Sequence, residues 1–480
     1  MAYKNLHEFI DKLESIDELH RIKKEVDPHL EITEIADRIS KSNGPALLFE
    51  NVKGSPYPLL INAFGSISRM QLALNTSSFD DIAERINKLL HLQPPSGIKE
   101  KIKMLFTLKE LASFTPKKIN KAPCQEVTLS NNALLDLLPI QTCWPQDGGP
   151  FITLPLVITK DAEKGIQNLG MYRMQKFSYN STGMHWQYNK DGARHYEKYK
   201  AQTKRMEIAV ALGGPPSVTY AATAPLPPDI NELHFAGFLD STAIEIVKAQ
   251  TVDLFVPAEA DFIIEGYVDP GDETIEGPFG DHTGFYSPAD TYPIFNVTCI
   301  TARKNAIYPS TIVGKPPMED CYMAKATERI FLPFMRLIVP EITDINLPME
   351  GVFHNCALVS IDKKFPGQAK KVIHALWGLG QMSSTKSIVV YDNDIDLTDH
   401  STVLWKLLNN VDPARDFVTS QGPLDALDHS APYANFGGKV GIDATRKTKE
   451  EGMGREWPDE IKMSEKIIKS VTDNWKSYGF

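Results

Sequence analysis

One short stretch of the sequence combines two carboxylates and a histidine with residues that interrupt regular structure. It reads Glu276-Gly-Pro-Phe-Gly-Asp281-His282-Thr-Gly284-Phe-Tyr286. Its glycines and proline exclude a regular helix or a central strand, so the acidic groups are expected on a loop. Loops on rigid scaffolds often carry the groups that exchange protons in catalysis. A tight turn with solvated acids would have the same composition, and the stretch alone leaves both interpretations open.

Three further stretches carry side chains that could bind a metal ion or a phosphate. They are centred on Asn168 to Arg173, on His185 and on Glu232. Asparagine, histidine and glutamate offer oxygen and imidazole ligands, which suit Mn²⁺ or Mg²⁺ better than an ion that prefers thiolates. Arg173 adds a fixed positive charge that could tune a nearby carboxyl group. Each stretch also has an ordinary interpretation, as a strand edge, a packed histidine or a solvated helix start, and spacing alone does not bring them together.

The length and composition indicate a large globular protein. The chain has 480 residues, of which 42% are hydrophobic and 23% are charged. At about 100–200 residues per domain, this length suggests two to four domains. The net charge of −10 argues against a broad nucleic-acid-binding surface, because such a surface needs clustered lysine and arginine.

The cysteines and the apolar stretches indicate a reducing compartment. The five cysteines are scattered and contain no C-x-x-C pair, which argues against a disulfide framework and a zinc ribbon. Met1–Lys23 alternates charged and apolar residues, unlike a signal peptide. The longest apolar stretch, Ile330–Pro340, is too short to span a bilayer and contains Arg336. We therefore predict a cytosolic protein without a transmembrane segment.

Several common site motifs are missing from the sequence. It contains no G-x-G-x-x-G, no P-loop, no H-E-x-x-H and no G-x-S-x-G. The segment from Asp392 to Asp396 begins like a calcium loop, but Leu397 stands where that loop needs glycine and Val403 stands where it needs glutamate. We interpret the segment as a strand end that leads into a helix through acidic capping residues.

The N-terminal part has the pattern of an α/β unit. Apolar residues at three- and four-residue steps predict a helix near residues 6–13 and a second helix over Phe79–Leu92. Short apolar runs at Ala46–Phe49 and Leu59–Ile61 predict buried strands. The lysine-rich segment Pro94–Pro123 is bracketed by prolines and predicts a linker with a short helix.

The central part is dominated by short β-rich runs between glycine, proline and aspartate clusters. Strands are predicted over Thr153–Thr159, Met206–Leu212, Val218–Ala222, Phe262–Val268 and Phe295–Thr301. Their irregular spacing favours a barrel-like β unit with long functional loops.

The C-terminal part returns to alternating strands and helices. Strands are predicted over Cys356–Ile361 and Ser387–Tyr391, and helices over Gln368–Leu379, Ser401–Leu408 and Ser464–Tyr478. This order predicts parallel α/β units.

With these motifs in this order, the sequence resembles the UbiD family of decarboxylases over nearly its whole length. The resemblance rests on Gly44-Pro-Ala-Leu-Leu-Phe49, Gln167–Arg173, Glu276–Tyr286, Val313-Gly-Lys-Pro-Pro317, Val411-Asp-Pro-Ala-Arg-Asp416 and Gly441-Ile-Asp-Ala-Thr445. It implies a multidomain α+β and α/β fold. Residues 1–115 would form an N-terminal α/β domain with a linker helix, 120–305 a flavin-reductase-like split β-barrel that binds prenylated FMN, and 315–480 a C-terminal α/β oligomerisation domain.

The resemblance also implies the cofactors. The family uses prenylated FMN, made by a separate flavin prenyltransferase, with Mn²⁺ and often K⁺ at its phosphate. By position, Asn168, His185 and Glu232 match the Mn²⁺ ligands, although the His185 position varies within the family and could serve only as a flavin contact. The positions that match flavin contacts are Met171, Tyr172, Arg173, His185, Trp186, Gln187, Lys190 and Asp191, and Lys386 matches the phosphate-side lysine.

The resemblance assigns roles to the loop acids. Arg173 and Glu276 match the active-site ion pair of the family, and Asp281 matches its proton donor. Removing CO₂ from an aromatic carbon leaves an electron pair that no side chain can accept, so a cofactor must supply the electron sink. Asp281 would then protonate the carbon.

The resemblance leaves several substrates open. The stretch Gly183–Gln187 and the ending Trp475–Phe480 are similar to the branch of the family assigned to menaquinone biosynthesis, which favours a dihydroxynaphthoate. The alternatives are 3-polyprenyl-4-hydroxybenzoate of ubiquinone biosynthesis, whose prenyl chain would bring the protein to a membrane surface, and a small phenolic acid. A flavin-binding protein without decarboxylase activity is the alternative from a different class. The family also implies a homo-oligomer, either a dimer or a hexamer.

Overall fold

The fold was obtained as a computed structural model and is described here for residues 2–94, 98–129, 134–187, 190–227 and 230–480. The helices are α1 Leu6–Ser15, α2 Glu31–Lys41, α3 Ile67–Ala73, α4 Phe79–Leu90, α5 Ile98–Ser113, α6 Asp191–Ala201, α7 Pro216–Ala221, α8 Glu232–Asp240, α9 Glu319–Ile338, α10 Gln368–Trp377, α11 His400–Asn410, α12 Pro413–Asp416 and α13 Glu465–Asp473.

The strands group into five sheets. They are β1 Leu19–Ile22, β2 Ala46–Phe49, β3 Leu59–Ile61, β4 Lys117–Ile119, β5 Val127–Thr128, β6 Phe151–Ile152, β7 Leu156–Lys160, β8 Gln167–Met171, β9 Met174–Ser178, β10 Ser181–Gly183, β11 Met206–Leu212, β12 Glu245–Lys248, β13 Phe255–Pro257, β14 Phe262–Glu276, β15 Phe279–Gly280, β16 Tyr286–Ser287, β17 Asp290–Ala302, β18 Tyr308–Pro309, β19 Ile342–Asn346, β20 Cys356–Ile361, β21 Ser387–Asp392, β22 Phe417–Pro423 and β23 Phe436–Asp443.

The N-terminal sheet is built from two distant parts of the chain. Its order is β1-β2-β3-β18, and β18 pairs in parallel with β3 after the chain has passed through the central sheet. Helix α1 covers the sheet with the apolar face that the sequence predicts, and the Asn5 side chain caps the helix by accepting a hydrogen bond from the Glu8 backbone N–H.

The central sheet is a curled antiparallel sheet of nine strands. Its order is β6-β9-β10-β17-β14-β11-β7-β8, and β5 pairs with β17. The two long strands β14 and β17 pair along their length, with register shifts that bend the sheet. The far end of this β14–β17 ribbon continues into the predicted acid-bearing loop. The described topology therefore confirms the expected fold class, a mixed α/β protein around a barrel-like β unit.

The C-terminal sheet has the order β19-β20-β21-β23-β22. The two predicted strands β20 and β21 are parallel, and β23, which the sequence did not predict, pairs with β21 in parallel. The edge strands β19 and β22 are antiparallel to their neighbours. Helix α10 packs its apolar face on this sheet. The acidic capping interpretation is confirmed, because Asp399 caps α11 by accepting from the backbone N–H groups of Ser401 and Thr402.

One predicted strand is wrong. Val218–Ala222 falls largely in helix α7, which begins at Pro216 and is buried on every side. A fully buried helix loses the polar face that produces a helical period, so its apolar run looks like a strand. Proline fits the first turn of a helix, because that position needs no N–H donor. Pro216 is therefore the residue that could have indicated a helix here.

Within the described residues, no helix is long and apolar enough to cross a membrane.

Candidate active site

The acid-bearing loop, residues 276–287, joins the ends of β14 and β17. Glu276 is the last residue of β14, and Asp281 directly follows the short strand β15. The loop backbone is fixed from outside, since the N–H of Gly280 donates to Asp147 Oδ1 at 2.7 Å and the N–H of Gly277 donates to Gln175 Oε1 at 2.7 Å. The two acids are therefore held by buried hydrogen bonds rather than left on a solvated turn.

Arg173 bridges both acids. It lies two residues beyond the end of β8, and its Nε donates to Glu276 Oε1 at 3.1 Å. One terminal nitrogen donates to Asp281 Oδ2 and the other donates to Ser287 Oγ at 3.1 Å. The guanidinium also lies over the Phe279 ring, 4.5 Å from its centre. All these contacts fix Arg173 in one orientation.

Asp281 is held as a carboxylate in this arrangement. Burial alone would raise the pKa of Asp281, but the hydrogen bond and charge of His282, together with Arg173, hold it well below its usual range. The His282 Nδ1 and backbone N–H both point to Asp281 Oδ1, at 2.9 and 2.8 Å. The proton that Asp281 would deliver is thus held by a neighbour between deliveries.

Glu276 has one oxygen left without a protein partner. Its side chain is fully buried, and its Oε1 contacts both Arg173 Nε and His185 Nδ1, the latter at 2.8 Å. Its Oε2 has no hydrogen-bond partner among the described residues. Gly183 makes room for this oxygen, because a Cβ at that position would lie 2.6 Å from it. An unpaired buried carboxylate oxygen is costly unless a ligand uses it.

Asn168 and Glu232, two of the predicted metal ligands, lie side by side. Glu232 begins α8, is buried, and accepts from the Leu169 backbone N–H at 2.8 Å through Oε2. In the orientation that satisfies both polar atoms of the amide, the Asn168 nitrogen donates to Glu232 Oε1 at 3.0 Å and the oxygen accepts from the Leu169 backbone N–H at 3.2 Å. A cation such as Mn²⁺ between the two side chains would require the amide to turn its oxygen toward Glu232, so that two hard oxygen donors converge. Burial raises the pKa of Glu232 to about 7, so a bound cation would also relieve that desolvation.

His185 does not join that pair through any hydrogen bond or ion pair within the described ranges. Its Nδ1 faces Glu276, and its ring packs on Tyr292 with centres 4.3 Å apart. No cluster of three or more His, Cys, Asp or Glu side chains suited to a metal occurs in the described part of the chain. The role of His185 as a metal ligand therefore stays a prediction.

The predicted flavin contacts surround the start of α6. Trp186 is buried, and its indole N–H has no partner among the residues described. Lys190 precedes the first residue of α6, Asp191, and burial lowers the pKa of Lys190. The phenol of Tyr172 approaches the same turn, since the Gly192 N–H points to its oxygen at 3.4 Å. A helix start with a half-buried cation and an unpaired donor fits a phosphate-bearing cofactor.

The remaining predicted flavin contacts are Met171, Gln187 and Lys386. Met171 ends β8, with its backbone N–H donating to the Ala222 carbonyl, and Gln187 lies just after Trp186. Lys386 precedes β21 in the C-terminal sheet, where its ammonium pairs with Asp428 at 3.0 Å and donates to Ser430. The phosphate role of Lys386 stays a prediction, because that ammonium is already paired.

Sequence reasoning missed the contacts that the C-terminal part makes with the acid-bearing loop. His354 Nε2 lies 2.8 Å from His282 Nε2, and the Phe353 ring stacks on His282. The His429 ring packs on Phe285 with centres 3.9 Å apart. These partners are separated by more than 70 positions in the chain, and no local pattern marks them. The left-handed backbone at Phe353 was not predictable from residue type either.

The assembled site can bind an anion and move a proton in a place shielded from water. Arg173 is the fixed positive group, Asp281 is a carboxylate joined to an imidazole, and Glu276 supplies an unpaired acceptor. Such a set suits proton transfer to a carbon, and it also suits recognition of a carboxylate near Arg173.

Comparison with known proteins agrees with this geometry. Three family profiles match in order along the chain: the N-terminal domain of 3-octaprenyl-4-hydroxybenzoate carboxy-lyase at residues 10–86, its Rift-related domain at 117–316 and its C-terminal domain at 321–444. Together they cover well over half of the sequence. The chain belongs to the UbiD family. The expected family and carboxy-lyase class are thereby confirmed.

Relatives of this UbiD protein cover its whole length. An uncharacterized protein of Archaeoglobus fulgidus is 51% identical over 477 residues, 99% of this chain and 98% of the relative. Vanillic acid decarboxylase of Sedimentibacter hydroxybenzoicus is 28% identical, covers 99% of this chain and 100% of its own, and superposes with a TM-score of 0.85 in its closed form and 0.80 in its open form.

A second solved UbiD-class enzyme bears on the cofactor. HmfF of Pelotomaculum thermopropionicum in complex with FMN is 28% identical, covers 95% of this chain and 97% of its own, and has a TM-score of 0.80. An evolved dimeric form of HmfF was solved with prenylated FMN. Flavin binding is thus established for a protein with this fold.

Proposed function

We propose that this UbiD protein removes CO₂ from an aromatic carboxylic acid without net oxidation, with prenylated FMN as cofactor and Asp281 as the proton donor. The observation that carries the proposal is the buried set in which Arg173 binds both Glu276 and Asp281. A protein that merely binds flavin has no use for a positioned proton donor, which argues against the non-catalytic alternative.

The chain's own groups divide the work. When bound, prenylated FMN supplies the sink for the electron pair that remains after CO₂ leaves. Arg173 fixes Asp281 and offers its charge to the substrate carboxylate. Asp281 gives the proton to the carbon that has lost CO₂, and Glu276 keeps Arg173 in place. The buried site excludes bulk water from the reacting carbon.

The cofactor would be held at the start of α6. The half-buried Lys190 and the N-terminus of α6 would receive its phosphate, with Lys386 as a further contact predicted from the family. The unpaired indole N–H of Trp186 would donate to an acceptor on the flavin. Asn168 and Glu232 would hold Mn²⁺, with His185 as third ligand if its Nε2 turns to the metal, and K⁺ would lie at the same phosphate.

A dihydroxynaphthoate of menaquinone biosynthesis is the substrate we favour. It is supported by the stretch Gly183–Gln187 and the ending Trp475–Phe480, which are similar to that branch of the family. A 3-polyprenyl-4-hydroxybenzoate is the second choice. A small phenolic acid is the third, and the structural similarity to a vanillic acid decarboxylase favours testing it.

The protein would act as a homo-oligomer in the cytosol. Its C-terminal part exposes apolar side chains that a second copy would cover, among them Leu404, Trp405 and Leu408 on α11. The five cysteines are free, as expected in a reducing compartment. A flavin prenyltransferase would supply the cofactor.

The test is purification under anaerobic conditions after co-expression with a flavin prenyltransferase, followed by absorbance spectra, bound-ligand mass and metal analysis. We expect prenylated FMN with about one Mn²⁺ per chain and CO₂ release from dihydroxynaphthoate, polyprenyl-hydroxybenzoate or vanillate. A protein that stays flavin-free beside a working prenyltransferase, or that binds flavin and releases CO₂ from none of these acids, would contradict the proposal.

The metal assignment has its own test. Glu232→Ala is expected to lose Mn²⁺ and flavin together, because one of the two converging oxygen donors is removed. The matched control is Glu245→Ala, which removes a partly exposed carboxylate from the neighbouring strand β12. Retention of both metal and flavin in Glu232→Ala would refute the assignment.

A further inference from the structure

We propose that His282 and His354 form a proton relay that recharges Asp281 between turnovers, and that the relay is complete only while the C-terminal part of the chain rests on the acid-bearing loop. The inference rests on the proposed function, since it assumes that Asp281 gives up one proton in each turnover. His282 and His354 would act through Asp281 and are therefore positioning residues.

Asp281 must recover its proton from a neighbour. Its side chain is only 6% exposed, and its oxygens are committed to Arg173 on one side and to His282 on the other. A guanidinium keeps its protons at any relevant pH. Among the described residues that bond the Asp281 carboxylate, the imidazole of His282 is thus the group that can exchange a proton with it.

His282 passes the path on to a second imidazole. Its Nδ1 faces Asp281 Oδ1 at 2.9 Å, and its Nε2 faces His354 Nε2 at 2.8 Å. Two facing nitrogens can bond only when one of them carries the proton and the other accepts it. The two rings are perpendicular, with centres 5.1 Å apart, and the Phe353 ring stacks on His282. One proton between the two nitrogens would complete this contact, and the Phe353 ring fixes the plane of the His282 ring.

The outer end of the path reaches a partly exposed acid. His354 Nδ1 lies 3.2 Å from Asn355 Oδ1, and His354 Nε2 lies 3.9 Å from Asp425 Oδ1. The Asp425 side chain is 25% exposed, whereas those of His282 and His354 are 16% and 12% exposed. Asp425 is the most exposed of these groups, and its carboxylate lies near the His354 nitrogen that faces His282, so we place the entry of protons from solvent there.

The surrounding charges keep one extra proton on the histidine pair. Asp281 on the loop, Asp320 on the first turn of α9, and Asp425 and Asp428 in the C-terminal part all act on the two rings. Burial lowers the pKa of His282, but the bond and charge of Asp281 outweigh it and raise that pKa overall. Burial and the neighbouring His282 lower the pKa of His354.

The backbone that carries His354 is held in an unusual conformation. Val352 and Phe353 both have left-handed backbone, with φ of 43° and 53°. Side chains with a Cβ rarely adopt this region, and a β-branched valine does so least readily. Such strain persists where neighbouring contacts fix it, and here those contacts are the Phe353 and His354 rings on His282.

The transfer balances in protons and charge. His282 begins with a proton on each ring nitrogen, gives its Nδ1 proton to Asp281 Oδ1 and becomes neutral. Asp281 then gives that proton to the carbon that has lost CO₂. The His282 ring turns over, so that its remaining N–H faces Asp281 and its bare nitrogen faces His354. Solvent protonates His354 at Nε2, and that proton passes to the bare nitrogen of His282, which restores the starting state. No electrons are transferred in these steps, and one proton is consumed for each CO₂ released.

The relay makes a prediction that a purely structural contact does not. In His354→Gln, the amide can still bond His282 Nε2, but it cannot pass a proton on. We expect the first CO₂ per active site to form at a rate within about twofold of wild type, followed by a steady state at least about 10-fold slower. A structural role would slow the first and later turnovers together.

The proton relay is tested by rapid-quench kinetics together with a titration of the apo protein. The kinetic probe is dihydroxynaphthoate, or vanillate if only vanillate is turned over, on the prenylated-FMN holoenzyme between pH 6 and 9. His429→Gln is the matched control, because it breaks the other contact of the C-terminal part with the loop, the packing on Phe285. His282→Asn, which keeps a donor to Asp281, is the second variant. Added imidazole is expected to restore the steady state of His354→Ala.

The titration uses histidine labelled with ¹³C at Cε1, with His282 and His354 assigned from the two variants. We expect His282 to stay protonated above the usual histidine range, and to lose that behaviour when Asp281 is changed to Asn. Independent titration of both rings near their ordinary pKa would overturn the relay. So would an active wild type whose His354→Gln variant shows either no change or an equal loss in all turnovers. A loaded wild type that releases CO₂ from none of the acids would instead overturn the proposed function, and the relay with it.

Discussion

Two buried charge clusters in this UbiD protein each place one basic residue between two acidic residues, but they differ in what they do. In the acid-bearing loop, Arg173 holds Glu276 and Asp281. In the C-terminal sheet, Lys447 holds Asp443 at 3.0 Å and Asp416 at 3.7 Å. Both clusters are almost fully buried, and the acidic members of both lie in stretches that carry the resemblance to the family.

The clusters differ in what they leave unpaired. Lys447 also donates to two backbone carbonyls, and Arg415 bonds both oxygens of Asp416 at 2.8 Å. The loop cluster leaves Glu276 Oε2 without a partner in the described residues, and it continues through His282 toward solvent. A closed network stabilises the fold, whereas an open one has capacity for a ligand or a proton. We call the Arg173 cluster open and the Lys447 cluster closed. Burial and charge alone do not distinguish them.

The largest expected effect tests the open cluster. Asp281→Asn keeps the size of the side chain but removes the proton donor, so we expect kcat to fall by about 10²–10⁴-fold while flavin content and the thermal midpoint stay near wild type. The measurement is CO₂ release by the loaded enzyme. Asp290→Asn, at an exposed position of β17, is the control. Near-wild-type turnover in Asp281→Asn would show that the loop cluster does not supply the proton.

The closed cluster should respond in stability rather than in turnover. Lys447→Met leaves Asp416 and Asp443 buried near each other without their shared cation, which is expected to lower the free energy of unfolding by about 3–5 kcal/mol. Urea denaturation measures this, beside the exposed control Lys449→Met. The activity per folded molecule should not change, and a selective loss of kcat would show that this cluster also serves the reaction.

Gly183→Ala tests how closely the open cluster is packed. The added Cβ would lie 2.6 Å from Glu276 Oε2 and 3.2 Å from the Phe177 ring. A displaced Glu276 would shift Arg173, and we expect kcat to fall about 10–100-fold. Gly438→Ala is the control, since a Cβ there meets no atom within 4 Å. Equal activity of the two variants would mean that the position of Glu276 is not critical.

The smallest effect concerns the third partner of Arg173. Ser287→Ala removes the hydroxyl that accepts from Arg173 at 3.1 Å, but both carboxylates stay in place. We expect a loss of only about 2–5-fold in kcat, consistent with one hydrogen bond to a charged group among several. Steady-state kinetics measure it. A loss as large as that of Asp281→Asn would show that turnover depends as strongly on the Ser287 hydroxyl as on the acids.

The sequence predicted features of the fold and the site that depend on neighbouring residues. Glycine and proline marked the acid-bearing loop, and the apolar runs marked eight of the eighteen strands described in the three larger sheets. The ordered motifs identified the family and thereby which of the loop's acids to test. These features depend on neighbouring residues, whose constraints are visible in the chain itself.

The distant contacts could not be predicted in this way. His282 and His354 are brought together only when the C-terminal part packs on the loop. The orientation of His185 toward Glu276 depends on the curl of the central sheet, which no local pattern encodes. The same limit applies to Lys447 and Asp416, which are 31 positions apart and meet only in the folded chain.

The return of β18 to the N-terminal sheet has a consequence for biosynthesis. Strand β3 finds its outer neighbour only at Tyr308–Pro309 of a 480-residue chain. While the ribosome is still making the central sheet, the edge of β3 is therefore unpaired, and an unpaired edge is a site for association with other nascent chains. A fragment ending at residue 115 would keep that exposed edge permanently. The N-terminal unit completes its folding only after most of the central unit has been synthesised.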